Sequence, residues 1–235
     1  MTSQHTTLHS LPAEAESSQR SVVAPFPTEP ASLGFGGAPR IIFNEATHTY
    51  TIDGTEVPSV TNVCRFLSID LKSDKPWLAQ VAADRGTRVH EACAMLDYGE
   101  EPEEDPEIAG YLTAYRRFLK DYRPDWEGIE YITGDTETGL AGTVDRFGTL
   151  YDGIPCIVDI KTGSRLYDAP LRGQLTGYDR LLSKDRISFQ AERLYALQLG
   201  KDGTYTLRLV QKDIQLLAAC IFIDNAIRRK HTCAN

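Results

Sequence analysis

The stretch "CIVDIKTG" (156–163) begins as a buried strand and ends on a charged pair. Cys156, Ile157 and Val158 are apolar, and then Asp159 and Lys161 flank Ile160. Side chains alternate faces along a strand, so Asp159 and Lys161 share one face while Val158 and Ile160 share the other. An apolar strand that finishes on an acid and a base is either a surface ion pair, which is common and weak, or the rim of an active site. Position favours the second, because Thr162-Gly163 follow where the edge of a sheet would open into a cleft.

Two more strands precede this one, over 128–133 and 140–151, with the quoted strand itself spanning 155–161. Residues 167–183 have helical spacing. The runs 192–199 and 205–210 flank Lys201-Asp202-Gly203 as a hairpin, and a last helix over 212–230 carries Ile214, Leu217, Ala218, Ile221 and Phe222 on one side. Upstream, apolar residues from Ile108 to Tyr122 recur every three to four positions and stop before Pro124, which predicts an amphipathic helix. Trp77, Leu78, Val81, Val89, Cys93 and Leu96 predict another over 76–96, with Gly86 expected to mark a break. The alternating run "RIIFNEATHTYTIDGTEVPSVT" (40–61) turns at Asp53-Gly54, a hairpin signal. This order predicts one mixed α/β domain over 40–235, a central mixed sheet flanked by helices. Residues 1–39, rich in Ser, Thr, Pro, Ala and Gly, read as a flexible low-complexity tail. That tail has neither the apolar core of a signal peptide nor the Arg-rich, acid-poor character of a transit peptide.

With 235 residues, 41% apolar and 25% charged, the chain has the profile of a globular domain with a core of its own. No apolar run approaches the roughly 20 residues that span a bilayer. Five scattered cysteines, without CxxC spacing, point to reduced thiols and a cytoplasmic setting rather than a disulfide framework or a zinc ribbon. A net charge of −8 argues against simple coating of nucleic acid, which rests on Lys and Arg. The acid is uneven, however: "GEEPEEDPE" (99–107) has six acids and no base, whereas 155–193 has seven basic and five acidic residues.

Four further positions could carry chemistry. Asp145 lies in "GLAGTVDRFG" (139–148), where Gly142 suggests the close approach of another group. Two carboxylates on adjacent strands could share a divalent cation, since Mg²⁺ favours oxygen ligands; standing alone, Asp145 would read as a backbone cap. His90 borders the apolar stripe of its helix and alone would read as packed or solvated. It is not part of a zincin motif, because position 94 is Ala. Gln174 and Tyr178 are four apart and share a helix face, although Tyr178 also belongs to an apolar row with Leu171, Leu175 and Leu182. Trp77 could stack on a base, but reads first as a core residue.

In order, Gly86…His90, Gly142-Thr-Val-Asp145, Asp159-Ile-Lys161 and Gln174…Tyr178 resemble the motifs of the RecB-like branch of the PD-(D/E)XK nuclease superfamily. The compact phage-type exonucleases are most similar, and "HTYTIDGTEVPSVT" (48–61) resembles their amino-terminal hairpin. The likeness covers about 41–215, with Val144 where the family name has Pro. It implies a restriction-endonuclease-like core and a DNA exonuclease of recombination, repair or phage DNA processing. Endonuclease activity on the same fold, or a non-catalytic nuclease-like module that binds DNA or protein, are the alternatives. By the same resemblance His90, Asp145, Asp159 and the carbonyl of Ile160 would hold Mg²⁺ or Mn²⁺. Lys161 would orient or activate water and stabilise charge on the phosphate, and Gln174 and Tyr178 would position Lys161 or the nucleic-acid backbone. Glu130 would be an accessory acid. Arg88, Arg165 and Arg172, with Arg85 and Arg180, are the candidates for a short basic lining that meets DNA phosphates, and taken singly they read as solvated surface charges. The implied setting is the cytoplasm of a bacterial or phage-infected cell, and the cysteines do not fit the family's iron–sulfur variants.

Overall fold

Asp53 and Gly54, at φ of 50° and 80°, make the tight turn that their sequence predicts. They join β2 (Thr49–Ile52) to β3 (Thr55–Val57), and β1 (Ile41–Asn44) pairs antiparallel on the other edge of β2. The computed structural model describes residues 39–232 apart from 46, 72–75 and 187, so the expected tail lies outside the described residues except for Pro39. A short helix, α1 (Val60–Val63), follows, its first turn capped by the Ser59 hydroxyl, and it runs into a 3₁₀ helix (Cys64–Leu71).

Two long helices come next, α2 (Pro76–Asp97) and α3 (Ala109–Tyr122). The central sheet is β4 (Asp125–Asp135), β5 (Leu140–Thr149), β6 (Pro155–Lys161), β7 (Arg193–Leu199) and β8 (Tyr205–Val210), in that spatial order. Only β6 and β7 are parallel, and α4 (Asp168–Asp185) makes the crossover between them. The last element among the described residues is α5 (Ile214–Thr232). The α/β architecture, a five-stranded mixed sheet flanked by helices, is the one the sequence predicts. No helix among the described residues is long and apolar enough to cross a membrane.

Strand alternation divides the core into two layers. Cys156, Val158 and Ile160 of β6 join Val89, Cys93, Tyr111, Tyr115 and Phe118 on the α2–α3 face. Ile157 joins Leu171, Leu175, Tyr178 and Leu217 on the α4–α5 face. Both layers are continuous, so the sheet is buried on both sides and its polar residues need internal partners.

Three expectations are corrected. Helix α2 runs unbroken through Gly86, because one glycine costs a packed helix only about 1 kcal/mol. Trp77 is not in the core but 63% exposed, and Val89 is the first fully buried residue of α2 among those described. Ile214 and Phe222 do not share the inner face of α5, being 64% and 74% exposed. The helix instead turns Leu217, Cys220 and Asp224 inward, where Asp224 meets Arg65 at 2.9 Å.

Candidate active site

The β5–β6 ladder stops at Arg146↔Val158, although β5 continues along β4 and β6 continues along β7. Beyond that pair the two strands part into a fork, and the backbone of β6 needs new partners there. Asp145 and His90 supply them. The Asp145 Oδ2 accepts from the Ile160 N–H at 2.6 Å, and the Ile160 carbonyl lies 3.1 Å from His90 Nε2.

Glu130 completes this corner by an irregularity of the backbone. The β4–β5 register runs from Ile129↔Arg146 to Tyr131↔Val144, bracketing Glu130 and Asp145. Glu130 has φ of 46°, in the left-handed region, inside a strand. Across from it, Val144 and Phe147 enter the same core layer although they are three residues apart, so the alternation slips between them. Asp145 and the following Arg146 consequently both reach α2 residues, His90 and Asp97. A non-glycine residue held at positive φ costs about 1–3 kcal/mol and persists where its surroundings over-determine it.

The His90 Nδ1 is 3.5 Å from Glu130 Oε1 and 3.6 Å from Asp145 Oδ2. Each of the three residues offers one ligand atom, and these atoms lie within 4.8 Å of one another. Burial pulls the imidazole down, but Asp145 and Glu130 outweigh it and raise its pKa to about 9. Burial also pushes the Asp145 carboxyl up, and with Asp159 and Glu130 nearby it reaches about 7 despite the pull of His90. Burial would raise Glu130 as well, yet His90 and Arg146 hold it below the usual range. One imidazole nitrogen and two crowded carboxylates fit a divalent cation, and oxygen-rich sets of this kind suit Mn²⁺ and Mg²⁺.

Asp159 and Lys161 continue the site on the α4 side. Asp159 is 1% exposed, and its Oδ2 lies 2.7 Å from Lys161 Nζ but out of hydrogen-bond alignment. Lys161 Nζ donates to Gln174 Oε1 at 3.0 Å, and Gln174 Nε2 donates to the Tyr178 hydroxyl at 2.9 Å. Burial would lower the ammonium's pKa, but Asp159 and Asp145 raise it, so Lys161 is charged at neutral pH. Gly142 allows this arrangement: a Cβ there would stand 3.0 Å from Tyr178 Cε1, so any side chain would push the ring aside.

The structure therefore gathers the expected residues into two adjoining groups. His90, Glu130, Asp145 and the Ile160 carbonyl form the first; Asp159, Lys161, Gln174 and Tyr178 form the second. Glu130, expected only as an accessory acid, sits within the ligand-like set, while Asp159 faces Lys161. A cavity of about 380 Å³ opens beside Lys161, lined by Thr61, Arg65, Ser68, Arg165 and Gln174 among others. Of the arginines expected along a DNA path, Arg165 lines this cavity. Arg88 is paired with Asp105 and Glu107, and Arg172 with Asp168 and Asp213 at 2.8 and 2.9 Å. Arg180 stands 4.0 Å from Asp135, and Arg85 lies over the Tyr111 ring. Arg65 and Thr61 were not singled out by sequence, since nothing local distinguishes an arginine that borders a cavity.

No family model matches the chain, and no curated protein matches it. Among solved structures, an alkaline exonuclease from Laribacter hongkongensis (LHK-Exo) is similar at 11% identity, over 75% of this chain and 94% of that one, with a TM-score of 0.38. A likeness that distant decides nothing about this site, whose chemistry rests on its own side chains.

Proposed function

We propose that this protein is a metal-dependent deoxyribonuclease that hydrolyses phosphodiester bonds, acting as an exonuclease in DNA recombination, repair or phage DNA processing. The observation that carries the reading is the convergence at the β5–β6 fork. A set of possible cation ligands from three separate elements adjoins a half-buried, charged lysine fixed by a glutamine.

Bound there, Mg²⁺ or Mn²⁺ would neutralise phosphate charge and lower the pKa of a water molecule enough to make it a nucleophile near neutral pH. His90, Glu130 and Asp145 are the residues that would hold the ion, and Asp159 and the Ile160 carbonyl stand at the border of the set. Lys161, charged and held by Gln174, supplies fixed hydrogen-bond donors to oxygens that gain negative charge as the phosphate is attacked. Its raised pKa makes it a donor and not a proton acceptor. Tyr178 fixes Gln174 and thereby Lys161. Arg165, in the adjoining cavity, supplies positive charge for backbone phosphates in an otherwise acidic protein, while Arg65 on the same wall is paired with Asp224.

Asp159→Ala and Lys161→Ala are expected to abolish Mg²⁺-dependent DNA degradation with an unchanged circular dichroism spectrum. Full activity in either purified variant would sink the assignment. A covalently closed DNA circle separates the exonuclease from an endonuclease on the same site, since an exonuclease leaves it intact. DNA binding without cleavage in Mg²⁺ or Mn²⁺ would mark a non-catalytic module.

A further inference from the structure

Arg146 is the largest fully buried side chain of the molecule's described residues, yet it belongs to neither group above. Its side chain is 0% exposed, and its donors go three ways. Nε reaches Asp97 Oδ2 at 2.6 Å, and Nη1 reaches both Glu130 Oε1 at 2.9 Å and the Asp145 carbonyl at 2.6 Å. Asp97 is fixed in turn, because its two oxygens accept from the Tyr115 hydroxyl at 2.9 and 2.7 Å and Oδ1 also accepts from Trp126 Nε1 at 3.1 Å. A rigid line thus leads from the aromatic core through Asp97 and Arg146 to Glu130.

Taking a guanidinium and a carboxylate out of water costs several kcal/mol per ion before their attraction is counted. A methionine or leucine would fill the same volume more simply, so core packing alone does not explain the pair. What Arg146 touches does. The Glu130 oxygen that it grips is the one 3.5 Å from His90, and the Asp145 backbone that it grips carries the second acid of the cluster. Glu130 is also the residue at φ 46°, and Arg146, opposite its neighbour Ile129, is placed to hold that conformation.

We infer that Arg146 is a positioning residue for the cation site, with Asp97 as its anchor: it holds Glu130 and the Asp145 backbone in the geometry that ligates the ion. This rests on the metal-dependent reading of the site. The planar guanidinium fork of Arg146 reaches Asp97 with Nε and Glu130 with Nη1, directed contacts from two separate nitrogens that a lysine's single nitrogen does not reproduce. Its charge also counters one of two crowded carboxylates, which keeps the set together before an ion arrives.

The test is Mn²⁺ affinity, measured by isothermal titration calorimetry on the full chain for wild type, Arg146→Lys, Glu130→Gln and the double variant. Arg146→Lys keeps the charge and loses the fork, and outer-shell changes of this kind cost about 10–100-fold in metal affinity. The expected result is a loss in that range, with a much smaller further loss when Arg146→Lys is added to Glu130→Gln, the remainder belonging to the contact with the Asp145 carbonyl. Such non-additivity is what action through Glu130 requires and a general loss of stability does not produce. Wild-type affinity in folded Arg146→Lys, or additive losses in the double variant, would overturn the inference. If Arg146→Lys fails to fold, Trp126→Phe loosens Asp97 while keeping the aromatic packing; a smaller loss in the same direction supports the inference, and unchanged affinity overturns it. Wild-type protein that binds Mn²⁺ but cuts no DNA removes the nuclease reading and leaves this one standing. Wild-type protein that binds no Mn²⁺ overturns both.

Discussion

Two acid–base pairs stand at the β5–β6 fork, one toward α2 and one on the α4 side, and do different things. Asp97 and Arg146 are closed off: both side chains are at most 1% exposed, and the acid's oxygens accept from three neighbours. Asp159 and Lys161 are equally short in contact, but the lysine is 30% exposed, borders a cavity and meets its acid out of alignment. The capacity the first pair has left, at the unpartnered Arg146 Nη2, is shut inside the core, whereas the second pair keeps its own beside a cavity. The difference teaches that burial of charge does not by itself mark a reacting group; unspent hydrogen-bonding capacity facing a cavity does.

Breaking each pair tests the contrast. Removing Asp97 with Asp97→Ala leaves Arg146 buried with Glu130 as its one remaining acid partner and its Nε without an acceptor, which is expected to destabilise the fold by about 3 kcal/mol. Chemical denaturation measures this, and a loss under about 1 kcal/mol would contradict the closed reading of the pair. Lys161→Ala also takes away the partner of Asp159, but the lysine is 30% exposed and borders a cavity, so water can take its place, and a smaller loss of stability than for Asp97→Ala is expected together with loss of activity.

The pH dependence of metal binding sharpens the contrast next. An ion displaces the proton from His90, whose pKa is raised to about 9, so affinity for Mn²⁺ is expected to climb with pH up to that value. One displaced proton gives about a tenfold gain per pH unit between 7 and 9. Below about 7 the slope steepens, because Asp145 must then lose a proton as well. A calorimetric affinity that stays flat across this range would remove His90 from the ligand set.

The smallest effect is at Tyr178. Its hydroxyl accepts from Gln174, and Tyr178→Phe leaves that amide one partner short at the cost of a single hydrogen bond, about 0.5–1.5 kcal/mol. A two- to tenfold lower kcat with KM little changed is the expected result, and an unchanged kcat would show that Gln174 holds Lys161 without help.

Much of this was legible in the sequence, because strand alternation and helical spacing are local. The alternation of 156–161 placed Asp159 and Lys161 on the face opposite Val158 and Ile160, and Gly142 announced the close approach that Tyr178 makes. What stayed hidden depends on distant contacts. Glu130 joins His90 through a positive φ that no residue type in "GIEYI" announces. Arg146 reads as an ordinary polar residue after Asp145, since its anchor Asp97 lies 49 positions earlier in the chain. The exposure of Trp77 is set by tertiary packing that the spacing along α2 does not carry.

The most direct test of the whole site is digestion of linear single- and double-stranded DNA, each labelled at one known end, by the purified chain. Stepwise loss of nucleotides in Mg²⁺ or Mn²⁺, stopped by EDTA and absent in Lys161→Ala, is the predicted result. DNA left intact by wild-type protein in both metals, or degraded equally in EDTA, would contradict it.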